Sequence, residues 1–311
     1  MTTDGRAGGV VCVIVTHDRP ACLRACLSAV SRQVRPPGTI LVIDNGSGDE
    51  TADVMVEFAH ARHLRLEVNA GGAAGFSTGI RAALAHGAEQ VWLMDDDGRP
   101  ENPSCLERLL DRVADGAELV GPLVLDEDRP DRLAFPVRLD GRTVFDAASV
   151  VRHGAIRGFA HLFNGALIQA RVFVRIGLPD PRFFIRGDEV DFLYRARLAG
   201  IRIVLDPAAR FLHPGSAAEI HPILFGLFYA VVPASPAKQS YLFRNRAFIF
   251  RRYRMWMFLA ADVVRYASFF LLNRRGDFCG LLRWMRLTAS GLSGRFMQTV
   301  ALDVVQPAPK P

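Results

Sequence analysis

Short apolar runs alternate over the first 215 residues with segments of helical periodicity, separated by polar loops rich in Asp, Asn and Gly. Residues 10–15 (VVCVIV) form a β-branched run that predicts a buried strand. A polar loop, Thr16-His17-Asp18-Arg19, follows, and Pro20 suits the first position of a helix. That helix places Leu23, Leu27 and Val30 on one face and stops before Pro36-Pro37. Further strands are predicted at 39–43, 64–68, 92–94 and 118–125, with helices over 72–85 and 103–113. This alternation predicts an α/β fold with a mostly parallel central sheet. Residues 126–158, rich in Arg, Asp and Pro, read as irregular, and a helix is expected from about Val190.

The fourth strand runs into three carboxylates, VWLMDDD at 91–97. Parallel sheets bind ligands in the crevice outside the carboxyl ends of their strands. Alternate side chains of an extended segment share a face, so Asp95 and Asp97 are expected to meet one ligand together. Two hard oxygen donors suit Mg²⁺ or Mn²⁺ held with the oxygens of a diphosphate. An acidic turn capping the next helix is the plainer reading of the same residues. Gly71-Gly72-Ala73-Ala74-Gly75 lies between a strand and a helix. Its spacing is not G-x-G-x-x-G and it follows the third strand, which argues against a nicotinamide-binding fold. Close backbone approach to a nucleotide, or tight helix–sheet packing, is the expected use.

Downstream, Asp188, Glu189 and Asp191 sit where a helix begins, a place where acids complement the helix dipole. Together with the upstream acids and His213 they also make a diphosphate–metal–base set. One carboxylate would take a proton from an acceptor hydroxyl while a metal stabilises a leaving nucleoside diphosphate. His213 would then be a third protein ligand, or otherwise a histidine in a turn before Pro214.

The five cysteines lack metal-ligand spacing and read as reduced thiols of a cytoplasmic protein; the polar N-terminus does not read as a signal peptide. The net charge of +6 hides an asymmetry. Residues 1–230 carry 25 Lys and Arg against 29 Asp and Glu, whereas residues 231–311 carry 13 against 3. An acidic catalytic body with a basic region facing something anionic is the expectation. No nucleic-acid motif accompanies the basic region, and nucleic acid is excluded as its partner.

Five ordered motifs, VCVIVTHDRP, LVIDNGSGDETADV, NAGGAAGFSTGI, MDDDGRP and FFIRGDEVDFLYRARLAGIRIVLDPAARFLHP, resemble those of inverting glycosyltransferases of family 2 over about residues 10–215. The resemblance implies the GT-A nucleotide-diphospho-sugar transferase fold. It implies that Thr16 and Asp44 hold the uracil and ribose of a UDP-sugar donor with His17 and Arg19 nearby, and that Asn69 and Gly72 pass under the nucleotide. Asp95 and Asp97 match the Asp-x-Asp motif, with Asp96 between them on the donor side; Asp97, Asp95 and His213 are the implied ligands of Mn²⁺ or Mg²⁺. Asp188-Glu189 matches the acidic pair that supplies the base, in reversed order, so Glu189 is the candidate and Asp188 its rival. Trp92, Phe163 and Asn164 are candidates for the acceptor site. The segments GGAAGF, RLAFP, LFNGAL and FIRGDEV resemble the branch of the family that acts in cell-wall galactan initiation. That branch transfers galactofuranose from UDP-galactofuranose to a polyprenyl-diphosphate-linked rhamnosyl-N-acetylglucosamine. A rhamnosyltransferase using a dTDP-sugar is the alternative within the class. Outside it stand a nucleotidyltransferase, which would want a Gly- and Lys-rich phosphate loop, and a non-catalytic nucleotide-binding scaffold.

Residues 255–272 are strongly apolar but interrupted by Asp262 and Arg265. They suggest amphipathic helices lying on an anionic membrane, or else helices packed on the rest of the protein. The expected organisation is a flexible N-terminus over 1–9, a catalytic domain over 10–230, a basic membrane-associating helical region over 231–300 and a disordered tail over 301–311. The expected location is peripheral, on the cytoplasmic face of the plasma membrane, with homo-oligomerisation left open.

Overall fold

The computed structural model describes residues 7–296 and 306–307. The chain begins β1 (Ala7–Thr16), α1 (Pro20–Ser31), β2 (Pro37–Asp44), α2 (Asp49–Glu57), β3 (Arg62–Arg65), α3 (Gly72–Ala85) and β4 (Gln90–Asp95). It continues through β5 (Arg99–Pro100), α4 (Cys105–Ala114), β6 (Leu119–Asp126), β7 (Arg132–Leu139), β8 (Arg142–Asp146) and α5 (Ala147–His153). Then come β9 (Ile156–Arg157), β10 (Asn164–Gln169), α6 (Ala170–Ile176), α7 (Asp188–Leu198) and β11 (Ile203–His213). The C-terminal part holds β12 (Ile220–Ile223), β13 (Phe228–Val231), α8 (Pro236–Arg252), α9 (Trp256–Ser268), a π-helical turn (Phe269–Asn273) and α10 (Phe278–Ser293). β14 (Gln306–Pro307) pairs with β3.

Two compact units divide the chain. The first comprises residues 1–181, 192–215 and 301–311, and the second residues 182–191 and 216–300. The division falls at 215/216, earlier than the expected 230, and the second unit also claims the segment that carries Asp188 and Glu189. The expected flexible N-terminus is strand from Ala7 onward, and most of the expected tail lies outside the described residues.

In the first unit the sheet runs β14, β3, β2, β1, β4, β10, β6, β11, β5. β1 pairs in parallel with β2 and β4, but β10 is antiparallel to both β4 and β6, so the sheet is mixed. Strand alternation divides the core. Val11, Val13 and Val15 of β1 face one layer with Phe76, Ile80 and Phe192. Val10, Cys12 and Ile14 face the other with Leu23, Leu27 and Leu109. A strand buried on both faces reads as a continuous apolar run, which is why VVCVIV was legible. Gly75 and Gly79, one turn apart on α3, permit close contact: an added Cβ would stand 2.7 Å from Val15 Cγ1 and 2.4 Å from Val13 Cγ1. Tight helix–sheet packing is therefore a use of this glycine run.

Residues 126–158 are ordered, contrary to expectation. β7 and β8 form an antiparallel pair, and Asp146 caps α5 by accepting from the Ser149 N–H at 2.8 Å. Their apolar positions Leu133, Val137, Ala147 and Val150 close a third core with Leu123, Leu125 and Leu205. Arg and Asp on the outer positions masked the alternation.

The second unit has its own core of Phe243, Tyr266, Phe269, Phe270 and Trp284. Asp262, buried in α9, receives Arg246 at 3.0 Å and also pairs with Arg265. Those two arginines are thus engaged with one carboxylate inside the unit, and Arg244 is itself buried. No helix among the described residues is long and apolar enough to cross a membrane.

Candidate active site

Strand register explains why the polar residues of the first unit converge. Thr16, at the end of β1, lies beside Asp44 at the end of β2, and Val15 lies beside Asp95 at the end of β4. Antiparallel β10 starts at this same edge, where Asn164 pairs with Met94.

The three carboxylates divide by burial. Asp96 is 1% exposed and accepts from Thr16 Oγ1 at 2.6 Å; Arg19 Nη2 stands 2.5 Å from its other oxygen. Burial pushes the Asp96 carboxyl up to about 6, although Arg19 and Thr16 oppose this. Asp96 thus braces the loop through Arg19 and Thr16. Asp97 is half-buried, pairs with Arg19 through one oxygen, and stands 3.3 Å from His213 Nε2 through the other. Burial raises its pKa, but the bond and charge from His213 and the charge of Arg19 outweigh it and bring it down to about 2. His213 Nδ1 lies 2.8 Å from the Pro214 carbonyl, a contact that makes Nδ1 the donor and turns Nε2 toward Asp97.

A carboxylate oxygen and an imidazole nitrogen 3.3 Å apart suit neighbouring positions of a divalent ion, whose octahedral donors at ~2.1 Å stand about 3 Å from one another. Asp97 Oδ1 is buried and has no well-aligned hydrogen bond among the described residues. The pair fits the implied metal. Among the described residues, however, no group of three His, Cys, Asp or Glu side chains forms a ligand cluster, so Asp95 does not join Asp97 and His213. Remaining positions would fall to donor or water oxygens.

The expected nucleotide residues are already engaged with the protein. Asp44, wholly buried, accepts from the Ser47 N–H at 2.8 Å and faces His63 at 3.2 Å. Burial raises its pKa, but these bonds hold the carboxyl below its ordinary value. Thr16 is buried too, so both order the loops beneath the site. Asn69 Oδ1 accepts from the Gly71 N–H at 2.9 Å, which sets the turn into Gly72. Asn45, absent from the sequence expectations, locks that turn: its Oδ1 accepts from the Ala70 N–H at 3.0 Å. Its neighbour Gly46, at φ 73°, meets the Val68 backbone where a Cβ would be. The Asp-Asn-Gly string was the available signal. His17 is half-buried, its Nε2 3.5 Å from Asp18.

Of the acceptor candidates, Trp92 is a core residue whose Nε1–H donates to the Gly165 carbonyl at 2.9 Å, which removes it from the site lining. Phe163 stacks on Phe76 with centroids 3.9 Å apart, and its carbonyl accepts from the Asp95 N–H at 2.9 Å. Asn164 Oδ1 is buried with no hydrogen bond among the described residues. Sequence reasoning missed the aromatic wall: Phe135 lies 4.9 Å from His213 and 5.1 Å from His161. Burial, aided by the charge of His213, brings His161 down to about 4, so it is neutral. The RLAFP and FAHLFNG strings held these residues, but nothing local marks them as neighbours.

In the second unit Asp188 and Glu189 open α7, which continues into the first unit from Phe192. Asp188 is 5% exposed, whereas Glu189 is half-buried. Burial, then the charge of Glu189, pushes the Asp188 carboxyl up to about 7. Burial thus sets Asp188 apart from its neighbour as the acid that favours the proton. A stability test follows. An unfolded Asp ionises near pH ~3.9, so between about pH 4 and pH 7 unfolding releases a proton. Stability is then lost as pH rises through this window and levels off above it. Asp188→Asn is expected to melt higher than the wild type at pH 8, with the gap closing toward pH 4 in scanning calorimetry. A gap independent of pH would show that Asp188 is ionised when folded.

A mixed α/β sheet whose carboxyl edge gathers an Asp-x-Asp loop, a histidine and ordered Asn- and Gly-rich turns is the arrangement of a nucleotide-sugar transferase. The chain belongs to glycosyl transferase family 2, whose domain matches residues 11–156. It is 39% identical over 296 residues to the galactofuranosyltransferase GlfT1 of Mycobacterium tuberculosis, covering 92% of this chain and 96% of the relative. GlfT1 of Mycolicibacterium smegmatis is 36% identical over 299 residues, covering 93% and 98%. A solved structure of GalNAc-T7 with UDP, GalNAc and Mn²⁺ superposes with a TM-score of 0.55 at 16% identity, over 78% of this chain and 47% of that one. That likeness shows the GT-A fold.

Proposed function

We propose that the chain transfers galactofuranose from UDP-galactofuranose to a polyprenyl-diphosphate-linked rhamnosyl-N-acetylglucosamine acceptor. The observation that carries this reading is 39% identity to GlfT1 across nearly the whole of both chains. Glu189 takes the proton of the acceptor hydroxyl as the oxygen attacks the anomeric carbon; UDP departs from the opposite face, and the configuration inverts. Asp97 and His213 would hold Mn²⁺ or Mg²⁺, which when bound offsets the charge growing on the diphosphate. Arg19, on Asp97, holds that carboxylate in its ionised form. Phe163 and Asn164 lie on the acceptor side.

The enzyme works at the cytoplasmic face of the plasma membrane as a peripheral protein. Supporting this, Trp256, Met257, Phe258, Leu272 and Phe278 of the second unit are exposed, interleaved with Arg254, Arg274 and Arg275. Apolar side chains beside cations suit the boundary of an anionic bilayer.

A donor panel with a synthetic lipid-linked acceptor tests the function. Hexose transfer from UDP-galactofuranose alone is expected. Transfer from a dTDP-sugar would move the assignment to rhamnosyl transfer, in line with 21% identity over 215 residues to the dTDP-rhamnosyl transferase RfbF of Shigella flexneri. In flotation with the same protein, binding to phosphatidylglycerol vesicles and not to phosphatidylcholine is expected; binding to neither would end the membrane reading.

A further inference from the structure

The segment leading into Asp188 has an unfavourable backbone. Phe184 and Arg186 lie at φ 65° and 63°, and Gly187 at φ 103°. Side-chain-bearing residues rarely enter this left-handed region and stay there only when their surroundings hold them. α8 supplies the hold. Asn245, wholly buried, directs its Nδ2 at three backbone oxygens of this turn, those of Phe183 at 2.9 Å, Ile185 at 3.0 Å and Arg186 at 2.6 Å. Its Oδ1 accepts from Arg244 Nε at 2.8 Å, which sets the amide with its donors toward the loop. Arg244, 2% exposed, reaches the Phe183 carbonyl at 3.3 Å with Nη2. Phe184 stacks on Tyr241, centroids 4.9 Å apart. Beyond Asp188 the same helix ends at Tyr253, whose hydroxyl donates to buried Asp191 at 2.8 Å.

Contacts from one helix thus bracket the turn that bears Asp188 and Glu189 on both sides. Desolvating a guanidinium and an amide with no carboxylate partner among the described residues is a costly way to pack two helices, and apolar residues would do it more cheaply. What the polar pair provides is geometry: one amide fixes three carbonyls, and with them the direction in which the chain enters α7.

We infer that Asn245, held by Arg244, is a positioning residue for the turn carrying the catalytic base, with Tyr253 as its lesser counterpart. The inference rests on the base lying in Asp188-Glu189. A misplaced reacting group costs up to about 100-fold in rate. Asn245→Ala is therefore expected to lower kcat by at least about tenfold, with UDP affinity retained and amide exchange accelerated over 183–191 alone. Asn245→Asp, which turns a carboxylate on the three carbonyls, should do the same. Tyr253→Phe, a substitution that spares the core, should lower kcat less and leave KM for the donor unchanged.

Unchanged kcat in folded Asn245→Ala would overturn the inference. So would parallel loss of kcat and UDP affinity with faster exchange throughout, because that pattern marks general destabilisation. Glu189→Gln and Asp188→Asn run in the same assay separate the two levels. If both turn over normally the base assignment fails, while local exchange over 183–191 still reports whether Asn245 holds the loop.

Discussion

Glu189→Gln is expected to abolish transfer while leaving UDP-sugar binding intact. The substitution keeps the shape of the side chain and removes its capacity to accept a proton, a capacity generally worth about 10²–10⁴-fold in rate. In barrier terms that is roughly 3–5 kcal/mol. Glu189 is the outer acid of the pair and lies in the first turn of α7, where the helix dipole favours the charged form a base requires. Asp188 is buried and held protonated toward neutral pH, so Asp188→Asn should retain much of the turnover. Steady-state rates with donor affinity from calorimetry decide the matter. A dead Asp188→Asn beside an active Glu189→Gln would exchange the two roles.

Asp97→Ala is expected to be nearly as damaging, for a different reason. It removes the one carboxylate paired with both Arg19 and His213, and leaves the cation Arg19 facing Asp96 alone. Loss of a preorganised electrostatic contact to a leaving group typically costs about 10²–10³-fold. Direct binding of Mn²⁺ in the presence of UDP, followed by electron paramagnetic resonance, provides a readout apart from turnover. The wild type should bind the ion, Asp97→Ala should not, and chelation should silence the wild type. Full turnover by Asp97→Ala, still lost on chelation, would place the metal on other residues.

Much of the first unit was legible because its signals are local. β1, α1 and α3 follow from apolar runs and helical periodicity, and the Asp-x-Asp loop falls where β4 ends. The β7–β8 hairpin was not legible, because charged outer positions hid a strand alternation that only its contacts with Leu123 and Leu205 make meaningful. Trp92 shows the opposite error: an aromatic next to the acidic motif suggests a sugar platform, yet in a doubly covered sheet its place in β4 buries it. In the second unit the composition suggested amphipathic helices with their arginines at anionic lipid, or else helices packed on the rest of the protein. Folding buries Arg244 and ties Arg246 and Arg265 to Asp262.

By itself the sequence determined the elements of the α/β layer, the loops that end its strands, and the kinds of chemistry those loops carry. Each depends on residues a few positions apart, within reach of strand and helix periodicity. Tertiary structure alone decided that His213 meets Asp97, that Asp96 braces Arg19, that Asp188 is the buried member of its pair, and that Asn245 reaches the turn before it. These depend on burial and on contacts between residues far apart in the chain, and neither distance nor desolvation leaves a mark on the local pattern of side chains.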